Sequence, residues 1–359
     1  MRTVKVRKGM PSVALSKAQF AERFKARFYD PVFAGSVREI ETLLPHAWTS
    51  YHDYHKSPVT RKAGKGFADP SYDLPVEWRA THEAVKAAER AQRNPRARSR
   101  ILIINGSMRS DHSCPGEMSK SWRLVTMARK IIEAERGFAA EVLDLSRLTS
   151  EYGRAIHPCK ACVSTAMPLC HWPCSCYPNH AIGQVNDWMN EIYPMWARAH
   201  GIMIITPVNW YQAPAGLKAM IDRLVCADGG NPDPSSTEGK DPARAKELEL
   251  KGWPYPRHLA GRLFSIIVHG DASGTENLRR ILTDWLTDMG LIPAGTKAVL
   301  DRYIGYYRDY ATSHDDLDED RDFQSEVRNA AHTLIAAVKL KRGGKLKQAD
   351  ARVKDPRPK

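Results

Sequence analysis

A short polar loop near residue 105 carries the residue types that bind phosphate. The segment NGSMRS follows an aliphatic run and precedes a pattern typical of a helix. Ser107 offers a hydroxyl and a backbone N–H, and Arg109 can pair with phosphate through two N–H groups. Ser119 and Ser121 lie at the start of the helix pattern, where backbone N–H groups and the helix dipole favour an anion. Because the loop lacks G-x-G-x-x-G, it predicts a monophosphate site; the alternative is a capped helix start beside a surface arginine.

Two further polar loops follow aliphatic runs later in the chain. In the first, TPVNWYQAPAGLK, Trp210 and Tyr211 stand where a flat ring would lie, and main-chain amides suit a planar heterocycle. The alternative is that these two aromatic residues pack at a subunit interface. The second loop, HGDASGTEN, begins at His269, and Gly270 permits a close approach of the backbone.

Five cysteines lie within 18 residues, in the segment HPCKACVSTAMPLCHWPCSC. They are Cys159, Cys162, Cys170, Cys174 and Cys176. Four close thiolates can hold an iron–sulfur cluster or a tetrahedral zinc ion. Reduced structural thiols or a redox-labile disulfide are the alternatives, since a chain of seven cysteines without a recognisable secretory signal argues against a disulfide framework.

The hydrophobic pattern predicts the scaffold that positions these groups. Five aliphatic runs alternate with helix patterns: RILIIN, AEVLDL, GIMIITPV, RLFSIIVHGD and AVLDRYIGYY. Strands that are apolar throughout and alternate with helices indicate a parallel sheet covered on both faces. We therefore predict an α/β fold with a five-stranded, doubly wound parallel sheet, which binds ligands outside the carboxyl ends of its strands. An insertion at about 229–259 is expected near this ligand mouth.

The segments on either side of this domain, which spans 100–338, are basic. Residues 1–99 read as a helical and irregular extension, with the clearest helix in SKAQFAERFKARFYD, and as a possible oligomerisation arm. Residues 339–359 read as a basic disordered tail. The net charge is +13, but a solvated tail explains it without nucleic acid. No apolar run is long enough to cross a membrane, and we expect a cytoplasmic protein.

The strand-end motifs resemble the NAD(P)H-dependent FMN reductases, a family of flavodoxin-like proteins. The resemblance covers about 100–300 and is most specific in GSMR and TPVNWYQAPAGLKAMIDR. It implies one set of residues for the FMN phosphate: Ser107, Arg109, Ser119 and Ser121. It implies a second set for the isoalloxazine ring: Pro207, Val208, Asn209, Trp210, Tyr211, His269, Gly270 and Asp271. The chain departs from the family in the inserted SDHSCPGEM and in SKS, where Gly-Asn-Thr is common.

The resemblance implies an enzyme that passes hydride from NAD(P)H through FMN to a small acceptor. Suitable acceptors are a quinone, a flavin, a nitro or azo compound, or a metal oxyanion. A related group, the iron–sulfur flavoproteins, carries a compact cysteine motif at the corresponding point, so electron transfer by an iron–sulfur flavoprotein is the first alternative. A non-catalytic regulatory or nucleic-acid-binding protein is the second. No catalytic side chain is predicted, because the flavin does the redox chemistry. A homo-oligomer, either a dimer or a tetramer, is also implied.

Overall fold

The structure, a computed structural model, describes residues 14–52, 59–113, 119–177, 187–305 and 312–347. Part of the loop that follows the first predicted strand, and most of the predicted basic tail, lie outside the described residues.

Two N-terminal helices form a small core of their own. Helix α1 (Lys17–Lys25) lies in the segment where the sequence predicts the clearest helix, and the side chain of Ser16 accepts the N–H of Gln19 in a capping box. Helix α2 (Val37–His52) packs against it. The buried residues of this core are Phe20, Phe24 and Ala47.

An antiparallel hairpin follows, within the extension 1–99 that the sequence predicts to be helical and irregular. Its strands are β1 (Thr60–Lys62) and β2 (Asp73–Pro75). The prediction was wrong here because strands of three residues give no measurable periodicity. Helix α3 (Val76–Arg93) starts directly after β2 and buries Trp78 and Val85, so the extension also contributes to the main body of the protein.

A parallel sheet organises the chain from residue 99 onward. Its strands are β3 (Ser99–Asn105), β4 (Phe138–Asp144), β5 (Gly201–Pro207), β6 (Leu263–Gly270), β7 (Ile292–Pro293) and β8 (Val299–Tyr303). The order is β4-β3-β5-β6, and β7 and β8 both pair with β6, so they share the last position. All these pairings are parallel. The predicted α/β doubly wound fold is confirmed; the predicted fifth strand contains β8, and β7 is an additional strand of two residues.

Helices cover both faces of this sheet. The helices of this part of the chain are α4 (Lys120–Ala134), α5 (Arg147–Ser150), α6 (Met189–Arg198), α7 (Ala215–Arg223), α8 (Pro242–Leu250), α9 (Thr275–Asp288), α10 (Ser313–Glu319) and α11 (Arg321–Arg342). Along β3, Ile101 and Ile103 face the layer of α4 and α11, whereas Leu102 and Ile104 face the layer of α3, α6, α7 and α9. All four side chains are at most 1% exposed, which explains why this strand shows no polar alternation.

The strand order reverses direction between β3 and β5. In doubly wound sheets a crevice opens at this point, outside the carboxyl ends of the strands. The edge formed by the carboxyl ends of β3, β5 and β6 is called the carboxyl-edge site below. None of the helices in the described ranges is long and apolar enough to cross a membrane.

Candidate functional site

The loop after β3 is fixed by a close approach between β3 and β5. The Gly106 N–H donates to the carbonyl oxygen of Ile205 at 2.8 Å. A Cβ at Gly106 would lie 2.6 Å from the Cβ of Thr206, closer than such atoms come in proteins. Only glycine fits here without displacement of β5, so the loop leaves the sheet at the switch point with its backbone held.

Ser107 and Arg109, two of the predicted phosphate ligands, are linked within this loop. Ser107 is buried, and its Oγ accepts the Arg109 N–H at 3.2 Å. The Ser107 N–H donates to Oδ1 of Asn105 at 3.3 Å, and Nδ2 of Asn105 donates to a carboxylate oxygen of Asp144 at 2.7 Å. Asn105 and Asp144 are not among the predicted residues, although a polar residue that ends an aliphatic strand is the signal that would identify them.

The N-terminus of α4 meets the end of β6. Ser119 is the N-cap of α4, and its Oγ accepts the Trp122 N–H at 3.1 Å. Ser121 is 1% exposed, and its hydroxyl lies 2.8 Å from Nε2 of His269. The fold thus brings together two predicted residues that lie 148 positions apart in the sequence.

His269 is an enclosed, neutral imidazole. Burial lowers its pKa to about 4, and the charge of Lys120 acts in the same direction. Its Nδ1 is buried and has no hydrogen-bond partner among the described residues. Buried polar atoms without a partner are rare, so this nitrogen is a candidate contact for a bound ligand.

The loop after β5 is a tight turn that holds two aromatic residues. Asn209 and Gln212 exchange backbone hydrogen bonds of 2.9 Å. Trp210 and Tyr211 between them have φ values of +48° and +68°, a region that strains a non-glycine residue by about 1–3 kcal/mol. Trp210 is nonetheless 90% exposed and Tyr211 61% exposed. Exposed aromatic side chains on a strained turn indicate a binding surface.

The ends of β5 and β6 are in close contact beside this turn. The Val208 N–H donates to the carbonyl oxygen of His269 at 2.9 Å, and the Gly270 carbonyl accepts the Ile304 N–H at 2.8 Å. A Cβ on Gly270 would lie 2.8 Å from Cγ1 of Val208. Pro207 pairs with His269 in the sheet register. The backbone N–H of Val208 therefore already has a hydrogen-bond acceptor within the protein, the His269 carbonyl.

Every residue predicted to contact FMN is described and follows or ends a strand at the carboxyl edge, or begins α4. The set is Ser107, Arg109, Ser119, Ser121, Pro207, Val208, Asn209, Trp210, Tyr211, His269, Gly270 and Asp271.

A second concentration of reactive groups is the cysteine segment, residues 151–177. Its thiols converge with a cysteine at the end of α7 around one cavity of about 10 Å³, room for about one water molecule. The cavity is lined by Cys159, Cys162, Cys170, Cys174, Cys176 and Cys226, all of them free thiols. Cys226 is not predicted as a member, since it lies 50 residues after Cys176 and nothing in its local sequence links it to them.

Lys240 supplies a positive charge to this cluster. Its Nζ donates to the Leu169 carbonyl at 2.7 Å and lies 3.8 Å from Sγ of Cys162. The Sγ atoms of Cys162 and Cys176 are 3.4 Å apart. The hydrogen bond with Cys176, and then the charge of Lys240, lower the pKa of Cys162 to about 7 despite its burial. Burial raises the pKa of Cys170 well above its ordinary value, so that thiol stays protonated.

The cluster has the donor chemistry of a soft-metal site but not its arrangement. Across the part of the chain that the structure describes, no group of three or more Cys, His, Asp or Glu side chains is placed to hold a metal ion. Structural zinc and iron–sulfur sites need about four ligands around one centre. The metal site at the five clustered cysteines stays a prediction.

Contacts from distant parts of the chain hold the cysteine segment in place. Nε1 of Trp78, on α3, donates to the Pro173 carbonyl at 2.9 Å. The Asn231 N–H donates to the Cys170 carbonyl at 2.7 Å, and the Trp172 N–H donates to the Asn231 carbonyl at 2.9 Å. The segment therefore takes its shape from tertiary contacts.

Arg223, at the end of α7, forms a buried ion pair and also contacts the cysteine segment. Arg223 pairs with Asp187, and the two side chains are 1% and 0% exposed. The Arg223 guanidinium also donates to the carbonyl of His157 at 2.8 Å and lies 4.9 Å from the centre of the Tyr177 ring. One arginine thus contacts both ends of the cysteine segment.

The insertion at 229–259 packs on the cysteine segment. Glu249 on α8 accepts the Met167 N–H at 3.1 Å, and Lys240 donates to the Leu169 carbonyl at 2.7 Å. The expected position of the insertion near the ligand mouth stays a prediction.

The fold places this chain in the class of doubly wound α/β proteins, which bind their ligands at the switch point of the sheet. The family described as NADPH-dependent FMN reductase matches residues 99–303. The chain therefore belongs to this family, and its strand order is that of flavodoxin-like folds.

A curated relative and several solved structures are also similar to the chain. An iron–sulfur flavoprotein from Methanosarcina thermophila is 29% identical over 126 residues, which are 35% of this chain, and the chain spans about half (52%) of that relative's length. RosB with a bound 8-demethyl-8-formylriboflavin-5'-phosphate intermediate has a TM-score of 0.45 at 14% identity, covering 69% of this chain and 82% of RosB. An NAD(P)H:quinone oxidoreductase from Methanothermobacter marburgensis has a TM-score of 0.35 at 15% identity, covering 68% of this chain and 98% of that protein.

Proposed function

We propose that this protein oxidises NAD(P)H with an FMN held at the carboxyl-edge site and passes the electrons to a small acceptor. The observation that carries the proposal is the junction of α4 and β6. There the buried Ser121 hydroxyl meets a neutral His269 whose Nδ1 is buried and has no partner in the part of the chain that the structure describes. Family membership supports FMN as the cofactor.

The residues present fit the phosphate group of FMN. The N-terminus of α4 offers backbone N–H groups and a partial positive charge. Hydroxyl groups are added by Ser119, the N-cap of α4, and by Ser107, in the loop after β3. Arg109 follows Ser107 on the same loop and supplies a full positive charge. An anion is therefore the ligand that these groups favour.

FMN, when bound, supplies the hydride chemistry. The chain's own part is to hold the phosphate, to orient the ring beside the turn of Trp210 and Tyr211, and to admit the nicotinamide and then the acceptor. The classes of acceptor that we propose are a quinone, a flavin, a nitro or azo compound, or a metal oxyanion. The same proposal includes a cytoplasmic location and a homo-oligomer whose interface covers the exposed Trp210.

The first experiment is a visible spectrum of anaerobically purified protein before and after NADPH is added. We expect a two-banded flavin spectrum that bleaches. Arg109→Met and Ser121→Ala should each weaken FMN binding by about 10- to 100-fold, the equivalent of losing a charged or buried hydrogen bond, and leave riboflavin binding unchanged.

Arg123→Met is the matched control, because that arginine lies on α4 but pairs with Asp318. It should bind FMN as the unmodified protein does. A colourless protein that FMN does not reconstitute would overturn the proposal, and equal losses for FMN and riboflavin would remove the phosphate assignment.

Iron–sulfur electron transfer stays an alternative prediction. The convergence of six thiols favours it, and their arrangement in the described residues opposes it. Iron and acid-labile sulfide at stoichiometric amounts in anaerobically purified protein would establish it, and their absence would exclude it.

A further inference from the structure

We propose that Cys162 and Cys176 form a reversible dithiol–disulfide couple, oxidised by a hydroperoxide and reduced by a small thiol. The couple is separate from the FMN chemistry and does not depend on the proposed function. It assigns the cysteine segment a redox role that needs no metal.

The two sulfur atoms are already in contact. They lie 3.4 Å apart although the residues are separated by 14 positions. A disulfide bond is about 2.05 Å long, so closure requires a relative movement of about 1.4 Å. Cys162 begins a single 3-10 turn, Cys162–Ser164, that is flanked by the exposed residues Ala161 and Thr165. A short turn between exposed neighbours can make this movement.

The two thiols differ in their exposure to solvent, and this difference determines which of them reacts first with the peroxide. Cys162 is partly exposed, whereas Cys176 is 8% exposed. The ammonium of Lys240 lies 3.8 Å from Sγ of Cys162 and is anchored on the Leu169 carbonyl. A fixed positive charge favours negative charge on that sulfur. Cys162 is therefore the attacking thiol and Cys176 the resolving thiol.

Two of the other thiols of the cluster, those of Cys226 and Cys159, have hydrogen bonds of their own. Sγ of Cys226, a fully buried residue, donates to the Arg223 carbonyl at 3.1 Å. Sγ of Cys159 accepts the Ala161 N–H at 3.3 Å. These contacts favour the pair Cys162–Cys176 over pairs that include Cys159 or Cys226.

The reaction balances with one hydroperoxide. The Cys162 sulfur attacks one peroxide oxygen, the O–O bond breaks, and water (or an alcohol) leaves, which gives a sulfenic acid on Cys162. The Cys176 sulfur then attacks the Cys162 sulfur, the S–O bond breaks, and water leaves with the Cys176 proton. Two thiols are oxidised by two electrons and the peroxide is reduced. Two molecules of a small thiol restore the dithiol and leave as their own disulfide.

The test uses the full-length protein, reduced, desalted without oxygen and treated with one equivalent of hydrogen peroxide. We expect the count of free thiols to fall from seven to five and to return to seven with dithiothreitol. The bond must be mapped with pepsin and tandem mass spectrometry, because no Lys or Arg lies between Lys160 and Arg198 and trypsin leaves four cysteines in one peptide. A different pair of cysteines, or no loss of thiols, would overturn the proposal.

Variants assign the two roles. In Cys176→Ser, peroxide should leave a sulfenic acid on Cys162 that dimedone traps, and no disulfide. Cys162→Ser should form neither product, and Lys240→Met should slow oxidation by about tenfold. Cys159→Ser is the matched control, because it removes a thiol of the same segment and should keep the couple.

Circular dichroism and thermal unfolding show that each variant is folded. If the two cysteine variants do not fold, the mapped bond in the unmodified protein still decides the question. Stoichiometric iron or zinc that blocks both thiols in anaerobic protein would overturn the couple in favour of a metal site. Because no step uses NADPH, failure here leaves the FMN proposal intact, and failure of FMN binding leaves this one intact.

Discussion

The carboxyl-edge site and the cysteine segment collect polar groups by different means. At the carboxyl-edge site, each group follows a regular strand or begins a regular helix, and the parallel sheet brings the strand ends together. The cysteine segment has only 3-10 turns, and its shape comes from contacts with α3, α7 and the insertion. The first region should therefore tolerate the loss of single side-chain contacts, whereas the second should depend on them.

The largest expected effect is that of Arg223→Leu. Removing one partner of a buried ion pair leaves the Asp187 carboxylate without its counter-charge, which destabilises a protein by about 3–5 kcal/mol. Urea unfolding measures the loss. Lys218→Met is the control on the same helix, because its pair with Asp222 is exposed and should contribute less than about 1 kcal/mol. Equal effects of the two substitutions would contradict a structural role for the buried pair.

The next largest effect is a change in the pH dependence of stability. The pKa of His269 is about 4 in the folded protein and about 6.5 when unfolded, so between these values only the unfolded state takes up the proton. The free energy of unfolding should therefore decrease as the pH falls from 6.5 towards 4, by about 2–3 kcal/mol for this group. In His269→Gln this part of the pH dependence should be absent.

His258→Gln is the counterpart beside the cysteine segment. Burial also lowers the pKa of His258 to about 4, and its ring stacks on Trp172. The two variants should change the pH dependence of urea unfolding alike, but only His269→Gln should weaken FMN binding. A loss of FMN binding in both would show that the two regions are coupled.

A smaller effect is expected from Gly106→Ala. The new methyl group would lie 2.6 Å from the Cβ of Thr206 and would push β3 and β5 apart, which destabilises by about 1–3 kcal/mol. FMN affinity should fall by at least about tenfold, because the phosphate loop leaves the sheet at this residue. Gly35→Ala is the control, since a Cβ there meets nothing within 4 Å. Unchanged FMN titrations for Gly106→Ala would show that the tight junction is not needed.

The smallest effect comes from the helix caps. Ser119→Ala and Ser16→Ala each remove a side-chain acceptor at a helix N-terminus, and each should destabilise its helix by about 1 kcal/mol. Only Ser119→Ala should also reduce the preference for FMN over riboflavin, as measured by flavin fluorescence. If both variants, or neither, change that preference, Ser119 does not contact the phosphate.

The sequence predicted the sheet because a strand that is buried on both faces appears as a short, continuous run of apolar residues. The core residues of β3 are all aliphatic, and the other predicted strands show similar runs, separated from one another by helix patterns. The polar residues that end such runs were predictable as one site, because parallel strands present their carboxyl ends at one edge. The pairing of Ser121 with His269 was not, since it depends on how α4 lies across β6.

By itself, the sequence determined the α/β sheet, the polar residues at its carboxyl edge and the close spacing of five cysteines, because these depend on local pattern and composition. Only the tertiary structure decided that Cys226 and Lys240 join those cysteines and that Cys162 faces Cys176. It also placed the insertion on the cysteine segment. The physical reason is that such contacts are made between surfaces of distant elements, which no local periodicity specifies.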